Sequence, residues 1–353
     1  MKQKTRILIA PLNWGLGHAT RCIPIINALL NHNFQPIIAS DGDALKLLKK
    51  EFPDLIHLKL PSYNIKYARN GRFLKLALLS QIPRIVKSVR NEKKNIQNLV
   101  SKYNIKGIIS DNRFGVFNKT LPSVYITHQL NVLSGNTTWL SSILHQQIIK
   151  KFDQCWVPDY ENEPNLSGRL GHSNNSQVEI KYLGPLSRFL PNETTKKNKL
   201  MVLLSGPEPQ RSVLEKLLLL ELKSYNNTII FVQGIVELEQ KITTKGNFTI
   251  INFMLSHELE KTIQESEIII ARSGYSTIMD LAKISKKVFF IPTPGQFEQE
   301  YLAKRLSSNR IAPYCKQDDF SVKQLDALEN YSGFRNLNFM PFTKDLFSLF
   351  ESE

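Results

Sequence analysis

The sequence predicts an α/β protein made of two doubly wound, parallel-sheet domains in succession. Short apolar runs bounded by turn residues alternate with longer segments of helical periodicity. The alternation stops in a stretch poor in apolar residues, 161–198, and then restarts. Strands that alternate with helices pair in parallel and need cover on both faces.

Taken in order, residues 5–10 read as a strand, 19–31 as a helix, 35–40 as a strand and 44–51 as a helix. A short strand at 56–60 precedes a mainly helical stretch, 74–103, broken at Pro83, because proline removes a helix hydrogen bond. Apolar runs at 107–110, 123–127 and 155–158 complete the first domain, 1–185. The second domain, 186–340, repeats the pattern with strands at 200–204, 228–232, 248–252, 267–271 and 288–291. Its helices are expected at 210–222, 257–265, 276–284 and 298–306. A C-terminal amphipathic helix within 341–353 is expected to pack back on the first domain.

Composition narrows the class. A chain of 353 residues that is 42% apolar has the length of two ordinary domains and the character of a globular protein. Cys22, Cys155 and Cys315 are widely spaced, which argues for a reducing compartment and against a structural zinc site. The apolar run 7–12 is too short for a secretory leader, and no uncharged run is long enough to span a bilayer. A cytoplasmic location is expected. The formal net charge of +15 is uneven: residues 59–106 hold twelve Lys/Arg against one acid, Glu92. Cations threaded through apolar residues there suit an anionic membrane surface or a solvated helix face. No aromatic-interleaved basic strand or helix-turn-helix pattern accompanies the charge, so no nucleic-acid partner is expected.

The candidate chemistry falls where strands hand over to helices, the place ligands occupy in open α/β sheets. After the first strand, Gly15-Leu-Gly17-His18 opens a helix whose free N–H groups suit an anion or polarised oxygen, with His18 a base near neutral pH. Asp111 follows the 107–110 strand, in Asp111-Asn112-Arg113, as a base or as an orienter of His18, and His128 ends the next strand. In the second domain, Gly206 and Arg211 flank another helix start within anion reach. Arg272-Ser273-Gly274 closes a buried strand, with Thr277 and Asp280 on the helix that follows. Gln296, Gln299 and Glu300 offer hydrogen bonds to a polyol. There is no Gly-x-Ser-x-Gly elbow, His-Glu-x-x-His pair or Walker loop.

Together, Gly15-x-Gly17-His18, Arg272-Ser-Gly274-x-x-Thr277-x-x-Asp280 and Pro292-x-x-x-Gln296-x-x-Gln299-Glu300 resemble the MurG-type glycosyltransferases of family 28. The resemblance implies the GT-B fold, two Rossmann-like domains facing a central cleft, with the acceptor on the first and the nucleotide-sugar on the second. It places Asp280 on the ribose hydroxyls, where the family usually has glutamate, and Gln299 and Glu300 on the donor sugar, where it has paired glutamines. Phe253-Met254 resembles the loop whose backbone reads uracil, and Arg188 the arginine near the diphosphate.

The function so implied is inverting transfer of a hexose or N-acetylhexosamine, GlcNAc above all, from a UDP-sugar to a hydroxyl of a lipid-linked or cell-envelope glycan. His18 or Asp111 would be the base, with Gly15, Gly17, Asn112, Arg113 and His128 on the acceptor side. Arg188, Arg211 or Arg272 and helix N-termini would stabilise the leaving diphosphate, and no catalytic metal or other cofactor is expected. Residues 59–106 would rest on the inner face of the plasma membrane. The rivals are a non-hydrolysing UDP-sugar 2-epimerase of the same fold and a non-enzymatic binder of nucleotide-sugars or anionic polymers.

Overall fold

The computed structural model describes residues 4–65, 80–133, 138–173, 177–192, 194–334, 337, 339 and 341–351. The chain divides into two compact units. The first comprises Met1–Asn64, Gln81–Leu186 and Phe339–Glu353, and the second is built on Ser187–Asn338.

In the first unit the chain runs β1 (Arg6–Pro11), α1 (Gly17–Asn31), β2 (Gln35–Ser40), α2 (Gly42–Glu51) and β3 (Ile56–Lys59). It continues α3 (Ile82–Tyr103), β4 (Ile105–Asp111), β5 (Ser123–Ile126), α4 (Thr138–Ile149), β6 (Gln154–Val157) and β7 (Glu179–Tyr182). The strands pair in parallel in the order β3-β2-β1-β4-β5-β6-β7. Their apolar runs are buried on both faces, as a covered parallel sheet requires. Leu8, Ala10, Ile37 and Ile108 pack with Ile96 of α3. Tyr125 and Cys155 pack with Ile149 of α4. Asn104, in the left-handed conformation, ends α3 where a β-carbon is least costly for a short polar side chain.

The end of the chain belongs to the first unit. Lys344–Phe350 is 3-10 rather than α-helical, and it buries Phe347 and Phe350. Their rings lie 6.1 and 6.3 Å from Trp156, and Phe347 is also 5.7 Å from Phe34. Gly107 of β4 makes room for them: a β-carbon there would stand 2.3 Å from Phe350 and 2.9 Å from Ile7.

The second unit runs β8 (Asn198–Leu203), α5 (Gln210–Glu221), β9 (Ile229–Val232), β10 (Ile242–Lys245), β11 (Phe248–Ile251) and α6 (Ser256–Glu265). Then follow β12 (Ser266–Ala271), α7 (Tyr275–Lys283), β13 (Val288–Phe290) and α8 (Phe297–Ser308). The sheet order is β10-β11-β9-β8-β12-β13, parallel except for β10 against β11. Leu200, Val202, Leu214, Phe231, Ile270 and Phe289 form its core.

In both sheets the winding reverses between neighbouring strands, β1/β4 in one and β8/β12 in the other. Successive connections leave in opposite directions there, so a crevice opens at the carboxyl ends. β7, β10 and α4 add to the elements expected from sequence. Of the basic segment 59–106, residues 66–79 lie outside the described part. No helix among the described residues is long and apolar enough to cross a membrane.

All three tryptophans, Trp14, Trp139 and Trp156, belong to the first unit, so their fluorescence follows its unfolding. Phe350→Ala is expected to destabilise that unit by about 3–5 kcal/mol in denaturant titrations. Gly107→Ala should be costly alone and much less so in the Phe350→Ala background, because the clashing ring is gone. Additive effects would contradict the packing described.

Candidate active site

At the switch point of the first sheet, β1 gives way to a turn in which Gly15 has φ +76°. Helix α1 then starts at Gly17 with no side-chain cap. His18 and Arg21 are one turn apart on α1, and both meet Asp111 at the end of β4. His18 Nδ1 lies 2.8 Å from Asp111 Oδ1. Arg21 donates through Nε to Oδ2 at 2.6 Å and through Nη2 to Oδ1, a bidentate pair. Cys22 Sγ is 3.6 Å from the same Oδ2, and Arg21 Nη1 is 2.8 Å from His128 Nδ1.

Asp111 is fully buried, Arg21 2% exposed and the His18 side chain 13% exposed. Burial works to raise the Asp111 pKa, but Arg21 and His18 outweigh it and hold the carboxyl well below the usual range. An ionised carboxylate only accepts, so the network assigns the His18 proton to Nδ1 and leaves Nε2 as a lone pair. The 2.9 Å between Arg21 Nη2 and His18 Nδ1 is then two donors converging on one oxygen. Burial lowers the His18 pKa, assisted by Arg21 and His128 and opposed by Asp111. The imidazole is therefore neutral near pH 7. Of the two candidate bases, Asp111 is enclosed and ion-paired, whereas His18 is oriented and unprotonated at one nitrogen. Arg21 was missed in the sequence as a site residue, although its i, i+3 spacing from His18 is a readable signal.

Arg113 corrects an expectation: it is fully buried and is no acceptor ligand. It donates to Glu92 Oε1 at 2.6 Å, Asp41 Oδ1 at 2.8 Å and the Pro61 carbonyl at 2.5 Å. Glu92, the lone acid of the basic segment, is itself buried on α3 and accepts from Tyr63 Oη and the Gly115 N–H. Asn112, at φ +55°, accepts from Tyr125 Oη at 2.8 Å. The chain has an Asp-x-Asp triplet, Asp41-Gly42-Asp43, whose acids pair with Arg113 and Lys46.

In the second unit, two of the three arginines expected on a diphosphate have other partners. Arg211 is held by Glu208 and Glu215. Glu208 also accepts from the Ser212 N–H, so a carboxylate of the chain already sits at the start of α5. Gly206 precedes this turn at φ +107°, with open space where a β-carbon would stand. Arg272 donates to the carbonyls of Gln210, Ile291 and Pro292 and to Gln317 Oε1. Its donors tie together the loops beyond β8, β12 and β13, and burial pushes its pKa down to about 9.

The remaining candidates do gather. Arg188 Nε lies 3.5 Å from Asp280 Oδ2, and Ser187 Oγ donates to Oδ1 at 2.8 Å. Asp280 is 8% exposed; burial raises its pKa against the pull of Arg188. Gly274 precedes α7, which no side chain caps, with half-buried Thr277 in its first turn. A β-carbon on Gly274 would meet nothing nearer than Gln299 Nε2, at 3.9 Å. Ser273 Oγ donates to the Gln299 carbonyl, and Gln299 Oε1 accepts from the Thr293 N–H, which fixes the amide beside that turn. Gln296 precedes α8 without a side-chain capping bond, and the Glu300 carboxylate accepts from the Gly295 N–H. Phe253 and Met254 are buried in the loop after β11; the Phe253 N–H donates to Asn252 Oδ1 and its carbonyl accepts from Gln240.

Removing one member of a fully buried ion pair leaves the other uncompensated. Arg113→Ala is therefore expected to destabilise the first unit by about 3–5 kcal/mol. A stable variant with only a raised acceptor KM would return Arg113 to the binding surface.

Residues 210–330 match the model of the glycosyltransferase family 28 C-terminal domain. A UDP-N-acetylglucosamine--N-acetylmuramyl-(pentapeptide) pyrophosphoryl-undecaprenol N-acetylglucosamine transferase of Campylobacter fetus is 26% identical over 68% of this chain and 70% of its own. An uncharacterised glycosyltransferase of Methanopyrus kandleri is 20% identical over 89% of this chain and 91% of its own. The crystal structure of Acinetobacter baumannii MurG superimposes with a TM-score of 0.52 at 14% identity, covering 92% and 90% of the two chains, a likeness of fold. With a family 28 C-terminal domain at 210–330 and a pair of mostly parallel sheets, the chain is a glycosyltransferase of the GT-B fold that resembles the MurG-type enzymes.

Proposed function

We propose that the protein moves a hexose or N-acetylhexosamine, most specifically GlcNAc, from a UDP-sugar to a hydroxyl of a lipid-linked or envelope glycan, with inversion. The observation that carries the reading is the 2.8 Å contact by which Asp111 orients His18 through Nδ1, leaving Nε2 to take a proton; burial, lowering the His18 pKa, supports it. The acceptor O–H gives its proton to Nε2 while its oxygen attacks the anomeric carbon. The bond from that carbon to the UDP oxygen breaks, and the electron pair leaves with UDP.

On the second unit, the Ser273 and Gly274 turn and the uncapped start of α7 receive the diphosphate. No metal is assigned a role in this scheme, since helix amides and Arg188 meet the developing charge. Asp280 and Arg188 stand for the ribose and its neighbouring phosphate, the Met254 backbone for the uracil edge, and Gln299 with Gln296 for sugar hydroxyls. The donor assignment is supported by the Campylobacter relative, whose name specifies UDP-N-acetylglucosamine.

The acceptor is proposed to lie at an anionic bilayer. Helix α3 exposes Arg84, Lys87, Arg90, Lys93, Lys94 and Lys102, while its one acid, Glu92, is buried. Ile82 and Val86 are 48% and 42% exposed at its start. Helix α4, which carries no charged residue, exposes Trp139 at 76% and Leu144 at 59%. Both helices pack on the same face of the sheet, since Ala10, Ser110, Tyr125 and Cys155 are register partners. Cations beside apolar side chains suit a peripheral position on anionic lipid.

His18→Ala should lower turnover by about 10²–10⁴-fold while UDP affinity is kept. In the wild type kcat/KM should fall only below about pH 6.5, the ordinary histidine value, because burial moves the His18 titration downward. Unchanged turnover in the variant, or an acid limb well above that pH, would remove His18 as the base. Isotope exchange at C2 of the sugar without transfer would favour an epimerase. Sedimentation with phosphatidylglycerol vesicles should weaken with salt and with Arg90→Gln/Lys94→Gln; indifference to both would contradict the membrane reading.

A further inference from the structure

Two imidazoles and one carboxylate meet a single cation in the first unit. Arg21 is 2% exposed, Asp111 fully buried and His128 5% exposed. The guanidinium grips Asp111 through Nε and Nη2 and reaches His128 Nδ1 through Nη1, at 2.8 Å. Arginine has donors only and keeps its proton, so His128 must accept at Nδ1 and carry its own hydrogen on Nε2. His18 has the opposite arrangement, because it donates through Nδ1 to the carboxylate that Arg21 holds.

We propose that Arg21 is a positioning residue that sets the two histidines in opposite tautomers. His18 then keeps its lone pair, and His128 its hydrogen, at Nε2. A lysine has its three N–H groups on one nitrogen and cannot reproduce donors spread over Nε, Nη1 and Nη2, so the planar fork is what the arrangement uses. The kinetic consequence rests on the transferase reading above; the tautomers do not.

The other titratable groups nearby leave this balance intact. Burial, then Asp111, pushes the Cys22 thiol up, so it stays a neutral donor. His145, which neighbours His128, is lowered to about 4 by burial and then by His128, and is neutral near pH 7. Burial, first of all, raises the Tyr125 hydroxyl. Without Arg21, the Asp111 charge would fall on His18 alone and favour its imidazolium.

The test is long-range ¹H–¹⁵N correlation of the histidine rings at pH 7.5, assigned with His18→Gln and His128→Gln. The wild type should show His18 protonated at Nδ1 and His128 at Nε2. His128 protonated at Nδ1 would overturn the proposal whatever the activity of the protein. Arg21→Lys should keep the His18 pattern and lose the single His128 tautomer; an unchanged His128 would also overturn it. In Arg21→Gln the acid limb of kcat/KM should move to higher pH. A limb that stays in place while turnover falls would make Arg21 merely structural. If that variant does not fold, the wild-type and Arg21→Lys spectra decide. Correct tautomers in a protein without transferase activity would sink the functional reading and leave this inference standing.

Discussion

The constraint on which the molecule depends is the reversal of winding in each parallel sheet. Strands β1 and β4, like β8 and β12, are neighbours whose following segments depart in opposite directions. Loops at those carboxyl ends cannot close over one another, and helix N-termini point into the space left open. His18 and Asp111 come from the two strands of the first reversal. Gly206 and Gly274 come from the two strands of the second.

A second constraint follows, because charges placed near such a crevice are largely out of water and must be paired. Arg113 meets this with Glu92 and Asp41, Arg211 with Glu208 and Glu215, and Arg21 with Asp111. Arg272 has carbonyl and amide partners instead of a carboxylate, which fits its lowered pKa. These arginines build the loops. Beside the Arg188–Asp280 pair, the groups proposed for chemistry are neutral: the His18 imidazole, the amides at the start of α7 and the Gln299 side chain. A neutral, pre-oriented imidazole suits an acceptor hydroxyl whose charge develops only as it reacts.

The sequence made the central strands legible because both faces of a parallel strand are buried and the apolar run is continuous. It hid β10, Ile-Thr-Thr-Lys, which is exposed throughout, and β7, Glu-Ile-Lys-Tyr, where charge breaks the pattern. The Gly-rich turn, His18 and the Arg272-Ser273-Gly274 segment were visible as strand-to-helix junctions. What those side chains touch was not visible. Arg113 looks like an acceptor-side ligand and Arg211 like an anion ligand in sequence, and only their carboxylate partners, from 3 to 72 residues away, reassign them. Conversely Arg21 looked like ordinary helix, yet it holds the site's carboxylate, 90 residues distant.

On the function proposed above, the donor nucleotide is held by the second unit, at the turn before α7 and the loop after β11. Hydrogen exchange of the intact protein with and without saturating UDP-GlcNAc tests it most directly. Added protection is expected in peptides covering 272–278 and 253–257, with the 210–216 helix start, already occupied by Glu208, little changed. Protection confined to the first unit, or none at a concentration that supports transfer, would contradict it.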